Sequence, residues 1–208
     1  MPASPHVNSH DTGVGDADAH VRDTRANGKA IATGTSILEV ALGYAARGWN
    51  VCPLHHVLDG ACSCRKSDCD SPGKHPRTEH GLKDATTDIP TIHRWWLDCP
   101  TANVAIATGE ASGLWMLGPD GQAGIDDLAE LERQHGPLPR TPTVRSGGGG
   151  KHLYFRYPVG RKIRNGRNVH GTRIDVRGAN GYAVAPPSSH KSGGCYEWEV
   201  SPEECSAP

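Results

Sequence analysis

Cys62, Cys64, Cys69 and His75 fall within one short stretch, CSCRKSDCDSPGKH. Zinc takes four sulfur or nitrogen ligands in a tetrahedron, and three cysteines with one histidine make a closed set that leaves no position for a reacting water. The stretch therefore reads as a structural zinc loop over residues 62–75, with Pro72-Gly73 supplying the turn that brings His75 round. His55, His56 and His80 stand close enough in sequence to replace His75 as the fourth ligand. Free thiols or a disulfide are the alternatives, although Cys62 and Cys64 are too near one another to pair comfortably. Cys52, Cys99, Cys195 and Cys205 are scattered and carry no motif.

Three further groups have chemistry to offer. Asp120 ends the stretch LWMLGPD, where an apolar run stops at Gly118-Pro119; it is either a turn residue or a metal ligand at the mouth of a strand. Arg145-Ser146-Gly147-Gly148-Gly149-Gly150-Lys151-His152 carries four consecutive glycines. Such a loop lets the backbone approach a ligand and turn N–H groups toward phosphate oxygens, with Lys151 and His152 adding charge and a donor. It lacks the spacing of a P-loop, and a plain hairpin turn is the competing reading. In Arg173-Ile174-Asp175-Val176-Arg177, alternation places Asp175 on one strand face with Arg173 and Arg177, as an exposed ion-paired face or as a functional carboxylate.

The elements that must position these groups can be read from periodicity. Ser36 and Glu39 form a capping box, and Ile37, Val40, Ala41, Tyr44 and Ala45 follow on one helical face until Gly48. Residues 49–54 read as a strand. Asp88-Ile89-Pro90 opens a second helix, in which Ile92, Trp95 and Trp96 should pack inward. Residues 103–108 and 114–117 are strands, residues 123–135 a third helix, and strands follow at 143–145, 152–157, 173–177, 182–185 and 196–200, separated by glycine and proline clusters. Early helices and late strands favour an α+β fold with an antiparallel sheet.

Residues 1–34 are polar and rich in Gly, Asp, His and Ala and are expected to form a disordered tail; 35–200 form the domain and 201–208 a C-terminal tail. The first thirty residues lack the apolar segment of a secretory signal. No stretch reaches the ~18 apolar residues of a membrane span. A cytoplasmic protein without membrane association is expected, where clustered thiols bind metal more readily than they oxidise. The net charge is only -1, but between Arg156 and Arg177 seven basic residues face the single acid Asp175. That local excess suits phosphates.

In their order along the chain, these motifs resemble the bifunctional DNA primase/polymerase N-terminal domain of the archaeo-eukaryotic primase superfamily. The resemblance rests on the strand-end Asp120, the Arg145-to-His152 segment, Ile174-Asp175-Val176-Arg177-Gly178 and Gly181-Tyr182-Ala183-Val184-Ala185-Pro186-Pro187-Ser188. Gly81-Leu82-Lys83-Asp84 and the Trp95-Trp96 pair add to it, and it runs from about Ser36 to about Val200. It implies an RRM-like primase/polymerase core and template-directed nucleotidyl transfer in DNA replication. Its implied partners are a DNA template and primer, nucleoside triphosphates, and a replicative helicase from a separate or longer gene product.

The resemblance also implies magnesium or manganese at Asp120 and Asp175, and a triphosphate contact from His152. Arg145, Ser146, Gly149, Gly150, Lys151 and Arg177 are the accompanying nucleotide-binding candidates. The family usually ends the first strand in Asp-x-Asp; here the matching positions are Gly118-Pro119-Asp120, so the first acid is missing. Asp126 and Asp127 are candidate substitutes. Two readings follow: an active nucleotidyltransferase, or a descendant that binds nucleotide or nucleic acid without polymerising.

Overall fold

The computed structural model describes residues 1–3 and 34–208, so the tail expected for residues 1–34 lies almost wholly outside the described residues. Helix α1 (Ile37–Ala46) begins at the capping box: Glu39 N donates to Ser36 Oγ at 3.2 Å, and Ser36 N donates to Glu39 Oε2 at 2.6 Å. These reciprocal bonds satisfy backbone donors that the first turn leaves orphaned. The chain continues through β1 (Val51–Leu54) and a short hairpin, β2 (Val57–Leu58) and β3 (Ala61–Cys62). Helix α2 (Ile89–Asp98) is capped by Asp88, whose carboxylate accepts from Thr91 N at 3.0 Å. It buries Ile92 and Trp96, while Trp95 stays half-buried rather than turning fully inward.

Then come β4 (Asn103–Thr108), β5 (Leu114–Pro119), α3 (Gly121–His135), β6 (Thr143–Arg145), β7 (Lys151–Arg156), β8 (Ile174–Arg177), β9 (Gly181–Ala185) and β10 (Glu197–Val200). The fold is mixed α+β with antiparallel sheets. One sheet has the order β1-β4-β9 and the other β10-β6-β7-β5-β8. In the larger sheet, β5–α3–β6 is a crossover with β7 inserted between its two strands, and β8 lies on the far side of β5.

The core lies between the two sheets and under α1 and α2. Val104, Ala105, Ile106, Ala183 and Ala185 of the smaller sheet join Met116, Val144 and Tyr154 of the larger one and Ala41, Tyr44, Ile92 and Trp96 of the helices. Helix α3 packs on β5 and β8 but contributes nothing to that cluster, so it covers the opposite face of the larger sheet. Residues 201–208, expected as a tail, lie against the domain: Pro202 is buried, Ala207 packs on the core, and Arg156 N donates to Pro208 O at 2.8 Å. No helix among the described residues is long and apolar enough to cross a membrane.

Register decides which side chains share a face. Val144 pairs with His152, Met116 with Tyr154 and Arg177, and Gly118 with Asp175. Directly paired residues point to one side of a sheet. His152, Asp175, Arg177 and Gly118 therefore share the core-facing side, at the end of the sheet where β5 runs out. Arg145 and Lys151 pair with each other and occupy the α3 side.

Candidate functional site

Two constellations stand out. In the first, one ligand atom each from Cys62, Cys64, Cys69 and His75 lie within 4.8 Å of one another. The Sγ atoms of Cys62 and Cys69 are each 3.5 Å from His75 Nε2. Bonds of about 2.3 Å to sulfur and about 2.0 Å to nitrogen, at tetrahedral angles, place S and N about 3.5 Å apart. The donor set thus fits a zinc-sized ion, with His75 in the fourth position. His55 packs its ring on His75 and hydrogen-bonds Ser63, while His80 pairs with Asp84. Burial works against ionisation of the Cys62 thiol, yet the N–H groups of Cys64 and Gly73, with Cys64 and His75, bring its pKa down to about 6. A thiolate is the form that ligates metal.

The second constellation is at the end of the larger sheet. Asp175 lies on β8 beside Gly118; its Oδ1 accepts from Asn168 N at 3.1 Å, and its Oδ2 accepts from the Arg177 guanidinium at 2.7 Å. Asp120 is the residue before α3, exposed, with no side-chain capping bond. Its own N–H is held by Arg173 O at 2.9 Å. His152 is half-buried, and its Nδ1 has no hydrogen-bond partner among the described residues. Burial, then the charges of Lys74 and Arg177, lower its pKa to about 4 against the opposing pull of the Val184 carbonyl and Asp175. At neutral pH the ring is therefore uncharged, able to donate from one nitrogen and accept at the other.

The glycine loop is closed on itself. Gly149 N donates to Ser146 O at 3.0 Å, Gly150 N to Ser146 Oγ at 3.0 Å, and Ser146 N to Gly150 O at 2.8 Å. The N–H groups of Gly149 and Gly150 are engaged internally and are not turned outward as a phosphate cradle. Gly150 has a steric role instead: a Cβ there would meet Pro119 O at 2.6 Å and Asp120 Cα at 3.2 Å. The loop thus presses directly on the backbone that presents Asp120. Arg145 and Lys151 are turned away, ion-paired with Glu197 at 2.6 Å and Glu199 at 2.9 Å on β10. Asp126 accepts from Gln122 and Asp127 from Arg173 N at 2.7 Å, both on the α3 side, away from the face that Gly118 shares with Asp175.

A family model for the N-terminal domain of bifunctional DNA primase/polymerases matches residues 41–208. The chain belongs to this family. The match takes in both the thiol cluster and the sheet-end site. Compared with the curated proteins, the chain matches none.

Of the residues expected to serve this primase/polymerase domain, the structure brings together His152, Asp175 and Arg177, with Asp120 at the same end. It separates Arg145 and Lys151 from them. Lys74, which the motifs did not single out, stands one residue before His75. Lys74 is half-buried; burial lowers its pKa, Asp120 opposes that shift, and Lys191 and Arg177 add to it. His190 feels the same surroundings: burial lowers its pKa, as do Lys74 and Lys191, while Asp120 opposes. The only local signal for Lys74 was its place between Gly73 and the ligand His75.

Proposed function

We propose that this domain is a primase/polymerase-type nucleotidyltransferase that extends a DNA primer on a template from nucleoside triphosphates. The observation that carries the reading is the convergence of His152, Asp175 and Arg177 on one sheet face, at the end where Gly118 and Asp120 lie. The order β8-β5-β7-β6, with the β5–α3–β6 crossover, supports an RRM-like core, since it is the split β-α-β arrangement of such sheets. The exposed residues Arg156, at the end of β7, and Arg161, Lys162, Arg164, Arg167 and Arg173, between β7 and β8, supply a basic surface for the DNA backbone. A replicative helicase, on a separate protein or within a longer gene product, is the expected further partner, in the cytoplasm.

In this reading, Asp120 and Asp175 hold a magnesium or manganese ion, for which one or two carboxylates together with substrate phosphates and water suffice. Held there, such an ion would supply Lewis-acid chemistry toward the 3′-hydroxyl and would offset charge on the phosphates. Arg177 orients Asp175 and carries positive charge to the phosphates. Neutral His152 hydrogen-bonds a phosphate oxygen without repelling the ion. Zinc in the Cys62/Cys64/Cys69/His75 cluster is structural.

Gly118 favours a second reading. It occupies the position across from Asp175 where a further carboxylate would complete a two-ion site. A domain without it binds nucleotide but transfers poorly or not at all. Primer extension with zinc-replete protein separates the two. Extension with magnesium or manganese, lost in Asp175→Ala, supports catalysis; no extension by the parent protein refutes it. Triphosphate binding that weakens in His152→Ala then leaves the binding-only reading standing.

A further inference from the structure

We propose that the ring of Tyr196 orients His152, and that His190 ties Tyr196 to the glycine loop as one support for the sheet-end site. Both are positioning residues, and their role in binding rests on the nucleotide-site reading above.

A histidine that works through one nitrogen is ordinarily set by the bond its other nitrogen makes. His152 Nδ1 is buried without a hydrogen-bond partner among the described residues. The Val184 carbonyl bears on the ring without a directed bond to Nδ1. Orientation of the ring therefore falls to packing, and the aromatic neighbour is Tyr196, with centroids 5.6 Å apart and planes at 38°. Register accounts for the contact. Val144 of β6 pairs with His152 on one side and with Trp198 on the other. Tyr196, two residues before Trp198, takes the same core-facing side, and its ring reaches across β6 to His152. Only 2% of Tyr196 is exposed, so its ring is itself held.

His190 backs Tyr196, in an edge-to-face contact with centroids 5.8 Å apart and planes at 73°. His190 is 7% exposed and sits in a turn closed by His190 N donating to Gly194 O at 2.8 Å and Gly193 N to His190 O at 3.0 Å. The turn is anchored on β4: Val104 N donates to Ser188 Oγ at 2.9 Å, and Ser189 N to Asn103 Oδ1 at 2.9 Å. On its other side His190 meets the glycine loop. A Cβ on Gly147 would meet His190 Cβ at 2.6 Å, and one on Gly148 would meet His190 Cε1 at 3.1 Å. Ser192 Oγ also donates to Gly147 O at 2.6 Å. Gly147 and Gly148 thus admit His190, as Gly150 admits Pro119. The rings of His152, Tyr196 and His190 form a continuous brace from β7 to the loop that presses on the backbone of Asp120.

The test combines fluorescence titration with N-methylanthraniloyl-ATP and imidazole NMR of His152, whose resonances are assigned by their loss in His152→Gln. Tyr196→Leu should shift those resonances and bind the probe about tenfold more weakly, the size of one misplaced hydrogen bond. Tyr196→Phe, which keeps the ring, should recover most of the affinity. His190→Ala should move the same resonances and weaken binding about threefold. In a double-mutant cycle, adding Tyr196→Leu to His152→Ala should cost less than about twofold more, because the tyrosine acts through the histidine. His190→Ala carries the same cycle if Tyr196→Leu does not fold. Full additivity, or His152 resonances unmoved in the variants, refutes the positioning role and leaves the nucleotide site standing. A Tyr196→Phe variant as weak as Tyr196→Leu refutes it too, since the hydroxyl would then be the acting group. If the parent binds no probe, the nucleotide-site reading itself falls, and the binding role of the brace with it.

Discussion

Replacing Gly118 with aspartate sets a carboxylate directly across the strand pair from Asp175. The backbone accepts it, because Gly118 is outside the positive-φ region that excludes side chains. A Cβ there meets Met116 Sδ at 3.1 Å, Met116 Cε at 3.5 Å and Asp175 Cβ at 3.7 Å. Met116 is flexible and can yield a few tenths of an ångström. The remaining cost is electrostatic. Two carboxylates about 4 Å apart repel by at most about 4 kcal/mol at an effective dielectric near 20, and Arg177 on Asp175 offsets part of that. Without magnesium or manganese, Gly118→Asp should be less stable than the parent by about 2–4 kcal/mol, a fall of roughly 5–15 °C in melting temperature for a domain of this size. A bound divalent ion removes the repulsion, so millimolar manganese should recover most of the loss in the variant while moving the parent little. Primer extension should rise about tenfold or more, equivalent to about 1.4 kcal/mol of barrier. Differential scanning fluorimetry with and without manganese, together with single-turnover extension, reads both effects. A variant that melts with the parent, ignores manganese and extends no faster would refute the claim that position 118 faces a metal site.

Two further outcomes follow from the same geometry. The depressed pKa of His152, about 4 against an ordinary 6.5, means that the unfolded chain takes up a proton between those values while the folded chain does not. Stability linked to this residue is thus complete above about pH 6.5 and lost as pH falls toward 4, by about 2–3 kcal/mol at about pH 4.5. Urea melts of the parent and His152→Gln across that range should converge as the pH drops, and parallel curves would contradict the buried placement. Gly150→Ala forces a methyl against Pro119 O and should cost about 1–3 kcal/mol as well as displacing Asp120; an unchanged melting temperature with normal activity would show that the loop does not support that turn.

Much of this fold was legible because the signals were local. The Ser36/Glu39 box, the Asp88 cap with Pro90, and the strand patterns read at residues 143–145, 152–157 and 173–177 each mark an element by its own residues. The Cys62/Cys64/Cys69/His75 cluster, which could hold a metal ion, was legible for the same reason, since four donors within one loop need no knowledge of the rest of the chain. Register and sheet membership were not. That β9 pairs with β4 in the smaller sheet, or that His152 rather than Lys151 takes the core-facing side, depends on long-range pairing that no local period encodes. The glycine loop was ambiguous for a related reason: a run of four glycines suits a phosphate cradle and also a tight turn packed on a neighbouring backbone, and the packing on Pro119 and Asp120 comes from outside the run.

The placement of β9 has a consequence for how the chain is made. Strand β4 is buried at every position and sits at the centre of its sheet, yet the strand that covers its second edge leaves the ribosome about 70 residues later. During that interval, Val104, Ala105 and Ile106 belong to a nascent chain with an open, apolar edge, the kind of surface that recruits chaperones or pairs with another copy. Fragments ending between β8 and β9 would keep Asp175 and Arg177 but lack the strand that closes β4, and they should accumulate as aggregates rather than as partial domains. For recombinant work, a truncation meant to isolate the sheet-end site has to extend past residue 185.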